Sequence, residues 1–318
     1  MKAIVYERYG APDVLTLRDV NKPVPKDSEV LVRISASCVN SADIRMRAFD
    51  IPPPFQLPAR LMLGWPTPKN QVLGVDFAGT VETVGANVTR FRAGDRVYGL
   101  AVYRCHAEYR TVPETASIAK IPDGVSEEDA AAVVFGGHTA LHFLNKAGIK
   151  PGQRALISGA SGAIGTMAVQ MAKAMGAEVA AVASGRNMEL LRSLGADHAV
   201  DYTSSDVTEN GVLYDVIFDT IGTLSFTKVR GSLTTNGCFL GAVLNGRDML
   251  PHFGATQRIV GGEAAGTPAD IAALVRMLAD GTLRAVIDRR YPMAQAADAH
   301  AYVDSKRKRG AVVLNIGV

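Results

Sequence analysis

The chain has 318 residues, 47% of them apolar and 20% charged, enough for two buried cores at roughly 100–200 residues per domain. A net charge of +3 and 6% aromatic residues exclude the basic groove and stacking platforms of a nucleic-acid binder, and a cationic membrane face. Cys38, Cys105 and Cys238 lie far apart with no C-x-x-C, which excludes a disulfide framework and a Cys-rich zinc site and fits a reducing compartment.

In chain order, the opening "MKAIVYERYG" lacks the apolar core of a signal peptide, and no run of about 18 apolar residues follows. The expectation is a cytoplasmic protein without a membrane span. "KAIVY", "EVLVRISA", "DFAGTVETVG" and "DRVYGL" are rich in Val, Ile and Tyr, and turn residues separate them. They predict a mostly antiparallel β-domain. Ile51–Lys69 carries six prolines and predicts a long loop, of the kind that forms lids or substrate walls. From Ser126, a good N-cap, the apolar spacing becomes helical. A second helix is predicted to hold "HTALHFLNKAG" and to close at Gly148.

Strict alternation follows. "RALISGA", "EVAAVA", "HAVDY", "YDVIFDTIG" and "GCFLGAV" read as buried strands. "AIGTMAVQMAKAMGA", "RNMELLRSLGA" and "LSFTKVRGSL" read as the helices among them. Such alternation predicts an α/β, doubly wound parallel sheet. After the helix "TPADIAALVRMLADG", the stretches "RAVIDRRYPMAQAADAHAYVDS" and "GAVVLNIGV" read as strand, helix, strand returning to the first domain. The expected domains are 1–122 with 285–318, and 123–284.

The strand-to-helix junction Ala155–Ala177 holds the most specific motif. A dinucleotide site needs a sharp turn after a strand, backbone that can touch a pyrophosphate, and a helix N-terminus aimed at that charge. Ala160-x-Gly162-x-x-Gly165 has that spacing, with alanine at its first place. Ala160, Ser161, Gly162, Ala163, Ile164 and Gly165 are therefore the candidate cradle. An NAD-preferring site ends its second strand in Asp or Glu. Here the strand "EVAAVA" runs into Ser184-Gly185-Arg186, a hydroxyl and a guanidinium. Arginine suits a 2′-phosphate, so the expected cofactor is NADP(H).

"VLGVDFAGTVETVGANVTRFRAGDRVYGL", "AEYRTVPE", "GGHTALHFLNKAGIKPGQRALISGASGAIGTMAVQMAKAMGAEV" and "SLGADHAVDY" resemble the medium-chain dehydrogenase/reductase superfamily. The branch they resemble is that of the zinc-independent quinone oxidoreductases. The resemblance implies a GroES-like catalytic domain, a Rossmann domain, an active cleft between them and a homodimer. It further implies that Asn40 lies beside the nicotinamide and that Thr139 lines its pocket. Tyr202 is implied to hold the 2′-phosphate, and Phe239, Leu240 and Gly241 to meet the carboxamide from a strand end. Asn315 is implied to lie near the cofactor. Asn187 stands where relatives carry a phosphate-binding lysine, a departure that neighbouring Arg186 can offset. Zinc-dependent members carry Cys-His-x-Asp and Gly-His-Glu. Here these places read Asn40-Ser41-Ala42-Asp43 and Gly74-Val75-Asp76, and the third ligand place falls at Phe135-Gly136-Gly137, with no thiol. Catalytic zinc needs three protein ligands, so no metal is expected.

Without a Lewis acid, reduction of an already activated acceptor is the expected chemistry, on a small-molecule quinone or enone. Asn40 and Thr139 are the candidates that position it. Tyr103 and His106 are possible proton donors, though each also fits an ordinary loop residue. An enoyl-thioester reductase and an NADP(H)-binding protein with little catalysis are the alternatives. His138 and His142 share a helix face without a zincin glutamate and read as helix-face residues. Tyr302-x-x-x-Lys306 mimics a short-chain dehydrogenase pair, but it stands too near the end of the chain and reads as packing. Lys306–Gly310 reads as a solvated flank.

Overall fold

In the computed structural model, residues 1–51, 55–244, 248, 256–264 and 266–317 are described. Packing divides them into two units. One comprises Met1–Phe135, Thr267–Ala279 and Arg284–Val318, and the other Gly136–Gly266 with Asp280–Leu283. The helix Pro268–Ala279 thus packs with the first unit, although it lies within the expected range 123–284.

The first unit opens with the hairpin β1 (Lys2–Val5) and β2 (Thr16–Asp19). Next come β3 (Glu29–Cys38), helix α1 (Ser41–Ala48) and helix α2 (Gln56–Leu63). Strands β4 (Asp76–Val84), β5 (Arg96–Leu100), β6 (Tyr109–Pro113) and β7 (Ile118–Lys120) follow. Helix α3 (Glu127–Ala147) carries the chain onward. Its N-terminus is capped as expected: Ser126 Oγ accepts from Asp129 N at 3.0 Å and donates to the Asp129 carboxylate at 2.7 Å.

The second unit contains β8 (Arg154–Ser158), α4 (Ala163–Ala174), β9 (Glu178–Ala183), α5 (Met188–Ser193) and β10 (His198–Asp201). It continues through β11 (Tyr214–Asp219), the single turn α6 (Phe226–Val229), β12 (Leu233–Gly241) and β13 (Arg258–Gly261). The chain then rejoins the first unit as α7 (Pro268–Ala279), β14 (Ile287–Pro292), α8 (Ala296–Asp304) and β15 (Ala311–Asn315).

The first unit's sheet runs β14-β15-β3-β4-β5-β7, with β6 also on β3. It is antiparallel except for β14 on β15. Alternate residues of β3 and β4, such as Val30, Val32, Phe77 and Val81, fill its core with Val312 and Leu314. The second unit's sheet is wholly parallel, β10-β9-β8-β11-β12-β13. Its strands are near-continuous apolar runs because helices cover parallel sheets on both faces.

Two sequence expectations are corrected. The Gly136-Gly137 pair does not separate two helices; α3 runs through it as 21 residues. Gly136 is there for contact, since a Cβ on it would lie 2.2 Å from Ala163 O. Ile51–Lys69 is not one long loop, because α2 occupies its middle. Pro58 sits in the first turn of α2, where an N–H has no intrahelical partner anyway. Tyr9 fixes the far end, donating to Gly64 O at 2.8 Å while its ring stacks on Trp65. Pro52–Pro54 lie outside the described residues, as does Asn245–Phe253 apart from Asp248. No helix among the described residues is long and apolar enough to cross a membrane.

Candidate active site

In the second unit the carboxyl ends of the strands form one row. Ser158 of β8 pairs in register with Asp219 of β11, and Asp219 with Gly241 of β12. This is the edge at which open parallel sheets bind ligands. Gly159 makes the turn with φ +72°, and Thr220 braces it by donating Oγ1–H to Ser158 O at 2.8 Å. The buried Asp219 carboxylate accepts N–H from Ile221, Gly222 and Leu224 and so folds the neighbouring loop back over the row.

The motif glycines do different jobs. A Cβ on Gly165 would lie 2.2 Å from Gly159 O and 2.5 Å from Ala160 Cα, so only glycine lets α4 rest on the turn. A Cβ on Gly162 would meet nothing nearer than Gly159 O at 3.4 Å. Gly162 is the half-buried N-cap of α4 with room for a Cβ, where the first turn's N–H groups lack intrahelical partners. That geometry fits a pyrophosphate.

Ser184 and Arg186 follow the end of β9, and Tyr202 follows the end of the adjacent β10. Arg186 and Tyr202 are exposed, and Tyr202 N donates to Ala183 O at 3.2 Å. Asn187 is the residue whose part the sequence did not show. It is buried, and Nδ2 donates to Ser161 Oγ at 3.2 Å and Ser184 Oγ at 3.0 Å, tying the glycine turn to the end of β9. Its Oδ1 has no hydrogen-bond partner. Phe239 and Leu240 are buried in the sheet, so only main chain of that segment is available to a ligand. Thr139 is buried on α3, next to the buried His138.

In the first unit a buried polar network surrounds Asn40. Asn40 caps α1 and forms a capping box with Asp43. Asp43 accepts Asn40 N–H and Gly74 N–H, both at 2.9 Å. Gly74 has φ +98°, and a Cβ there would strike His106 N at 2.5 Å. Asp76 Oδ2 accepts from Asn40 Nδ2 at 2.7 Å, and Oδ1 accepts from Cys38 N at 2.6 Å. Burial, and then the charge of Asp43, pushes the Asp76 carboxyl up to about 8. Burial also raises Asp43, with His106 as the strongest opposing influence. The alternating apolar pattern of β4 gave no sign that Asp76, its first residue, is buried with these partners.

The tighter hold of folded Asp76 on its proton has a signed consequence. Between about pH 4 and 8 the folded protein holds a proton on Asp76 that the unfolded chain releases, so stability falls as pH rises through this window. Asp76→Asn is expected to remove a slope of up to about 1.4 kcal/mol per pH unit, read from urea midpoints of both proteins across that range. Parallel curves for the two proteins would contradict the assignment.

The other sequence candidates find defined places. His106 is fully buried with Nε2 on Cys38 O at 3.1 Å, so its Nε2 proton is engaged with main chain. Tyr103 is half-buried at a positive φ of 129°. Asn315 ends β15 opposite Ala36 in the first unit, its buried Oδ1 unpartnered. Tyr302 packs, donating to Asp288 at 2.6 Å beneath the Arg289 guanidinium. Lys308 departs from the solvated flank expected for its run. It is partly buried and donates to Gly310 O, and burial lowers its ammonium to about 8.

The donor set does not fit a catalytic zinc. Val75 offers no ligand atom, and the Asn40 amide, Asp43 and Asp76 are bonded to one another or to main chain. No group of three potential ligands occurs among the described residues.

Two family models match the chain: an alcohol dehydrogenase GroES-like domain over residues 26–126, and a zinc-binding dehydrogenase over residues 194–314. A Pseudomonas aeruginosa quinone oxidoreductase is 31% identical over 98% of this chain and 99% of its own. An Arabidopsis thaliana chloroplastic NADPH-dependent alkenal/one oxidoreductase is 30% identical over 99% of this chain and 79% of its own. The solved quinone oxidoreductase of Coxiella burnetii superposes with a TM-score of 0.90 at 28% identity, covering 99% of both chains.

Proposed function

The chain belongs to the medium-chain dehydrogenase/reductase superfamily, in its quinone oxidoreductase branch, and from that premise we propose that it is an NADPH-dependent, metal-free reductase of quinones or α,β-unsaturated carbonyl compounds. The observation that carries the reading is the contrast within the glycine motif: Gly165 is closed by backbone contact, while Gly162, at a helix N-terminus, has only Gly159 O at 3.4 Å within reach of a Cβ.

A nicotinamide dinucleotide held there supplies the hydride. The α4 N-terminus from Gly162 binds its pyrophosphate, and Ser161 stands beside it. Arg186 carries a fixed positive charge suited to a 2′-phosphate, and the exposed Tyr202 ring flanks the same place. Main chain at Phe239–Gly241 meets the carboxamide end. In this reading Asn40 and Thr139 are the positioning residues for the acceptor, and Asn315 is a cofactor-side residue. Asp76 and Asp43 keep Asn40 from turning, because each is bonded to it and to main chain. Quinones and enones are electrophilic without a metal, and the carbonyl oxygen that gains charge needs only hydrogen-bond donors. The proposal includes a cytoplasmic homodimer.

The test is reduction of a quinone, a small enone and a crotonyl thioester with NADPH. Preference for the thioester would favour the enoyl-thioester alternative. Tight NADPH binding with no turnover on any of them would favour a binding protein.

A further inference from the structure

We propose that Asp201 and Asn187 make the ribose end of the cradle a site for a free 2′-hydroxyl as well as a 2′-phosphate, so that the protein takes NADH beside NADPH. The inference rests on the nicotinamide reading above and deepens it. Asp201 is the last residue of β10, paired in register with Ala183, the last residue of β9. Its carboxylate leans over the following turn: a Cβ on Gly185 would lie 2.4 Å from Asp201 Oδ2. Glycine at 185 therefore leaves room for that carboxylate beside the place where the family of parallel-sheet dinucleotide sites sets its ribose-binding acid. The acid that the end of β9 lacks is supplied by the neighbouring strand.

Asp201 is held charged. Its Oδ1 accepts Thr203 N–H at 2.9 Å and Thr203 Oγ–H at 2.8 Å, and these bonds hold the carboxyl below its ordinary range. Oδ2 faces Gly185. Asn187 adds a second acceptor. Its Nδ2 is engaged with Ser161 and Ser184, and its Oδ1 is buried without a donor. A ribose hydroxyl brings a donor to such oxygens. A phosphate brings acceptor oxygens and negative charge, which Asp201 repels and Arg186 attracts. Asp201 Oδ2 lies against Gly185, and Arg186 and Asn187 are the next two residues of the same turn, so in this proposal a cation and two acceptors compete there and neither nucleotide is strongly excluded.

The test titrates NADPH and NADH separately by calorimetry into the parent, Asp201→Asn and Arg186→Ala. Asparagine keeps the shape of the half-buried Asp201 and an Oδ1 acceptor for both Thr203 bonds, and circular dichroism checks that the fold is kept. The parent is expected to bind both nucleotides within about tenfold of each other. Asp201→Asn is expected to move the affinity ratio about tenfold toward NADPH, with less effect at high salt. Arg186→Ala is expected to move it toward NADH. An unchanged ratio in Asp201→Asn, or a parent that binds NADPH and not NADH, overturns the inference and leaves the reductase reading standing. Binding of neither nucleotide overturns both.

Discussion

Gly162→Ala is expected to fold like the parent and to bind NADPH at least about tenfold more weakly, whereas Gly165→Ala is expected to lose about 3 kcal/mol or more of stability. The two changes add the same methyl group to the same motif. At Gly162 the backbone φ of −80° suits any residue, and the added Cβ meets only Gly159 O at 3.4 Å. The cost to the fold is the weaker N-cap, about 1 kcal/mol or less. The methyl instead occupies the space into which α4 presents its free N–H groups. At Gly165 alanine gains about 1 kcal/mol of helix propensity. It also places Cβ 2.2 Å from Gly159 O, a backbone atom that cannot move unless α4 lifts from the turn. The clash outweighs the propensity. Urea unfolding and nucleotide calorimetry on both variants separate the effects. A Gly162→Ala protein with parental affinity would show that no phosphate lies there.

Arg47→Met is expected to cost about 3 kcal/mol, the lower end for a broken buried pair because Asp304 is partly exposed. Arg47 is 2% exposed on α1. Its Nε donates to Gly10 O at 3.0 Å, Nη2 to Asp304 Oδ2 at 2.7 Å, and Nη1 lies 3.3 Å from His300 Nδ1. Burial, with His106 and Arg47 adding to it, keeps His300 well below its ordinary range, so its ring is neutral and Nδ1 accepts. Methionine fills the volume but leaves Gly10 O and the Asp304 carboxylate without their donor. Because Asn40 caps α1, the loss also loosens the helix that the proposed positioning amide precedes. Adding Asp304→Leu is expected to restore part of the loss, since it removes the stranded charge. Urea midpoints of the single and double variants check this. A single variant within about 1 kcal/mol of the parent would contradict it.

Local patterns made much of this architecture legible. The alternation from Arg154 to Gly241 reports a parallel sheet because buried strands and amphipathic helices have different periods. The return of β14, α8 and β15 to the first unit was legible from the restart of strand patterning after Gly281. What escaped depends on contacts between distant residues. Gly136 resembles a helix break until Ala163 is seen against it. Six prolines hide α2 because only Pro58 falls inside the helix, at a place that tolerates it. Asp76 and Asp43 carry no local sign of burial, since their partners Cys38, Asn40 and Gly74 come from other elements. Asn187 reads as a missing lysine in the sequence and as a tie between two serines in the fold. Asp201 lies one strand away from where a ribose-binding acid is sought.

The measurement that tests the central claim most directly is steady-state oxidation of NADPH by a quinone and by a small enone, with and without a strong metal chelator. The account predicts turnover with at least one of these acceptors, unchanged by the chelator, and loss of that turnover at sub-saturating NADPH in Gly162→Ala. Turnover abolished by the chelator, or tight NADPH binding with no turnover on either acceptor, would contradict it.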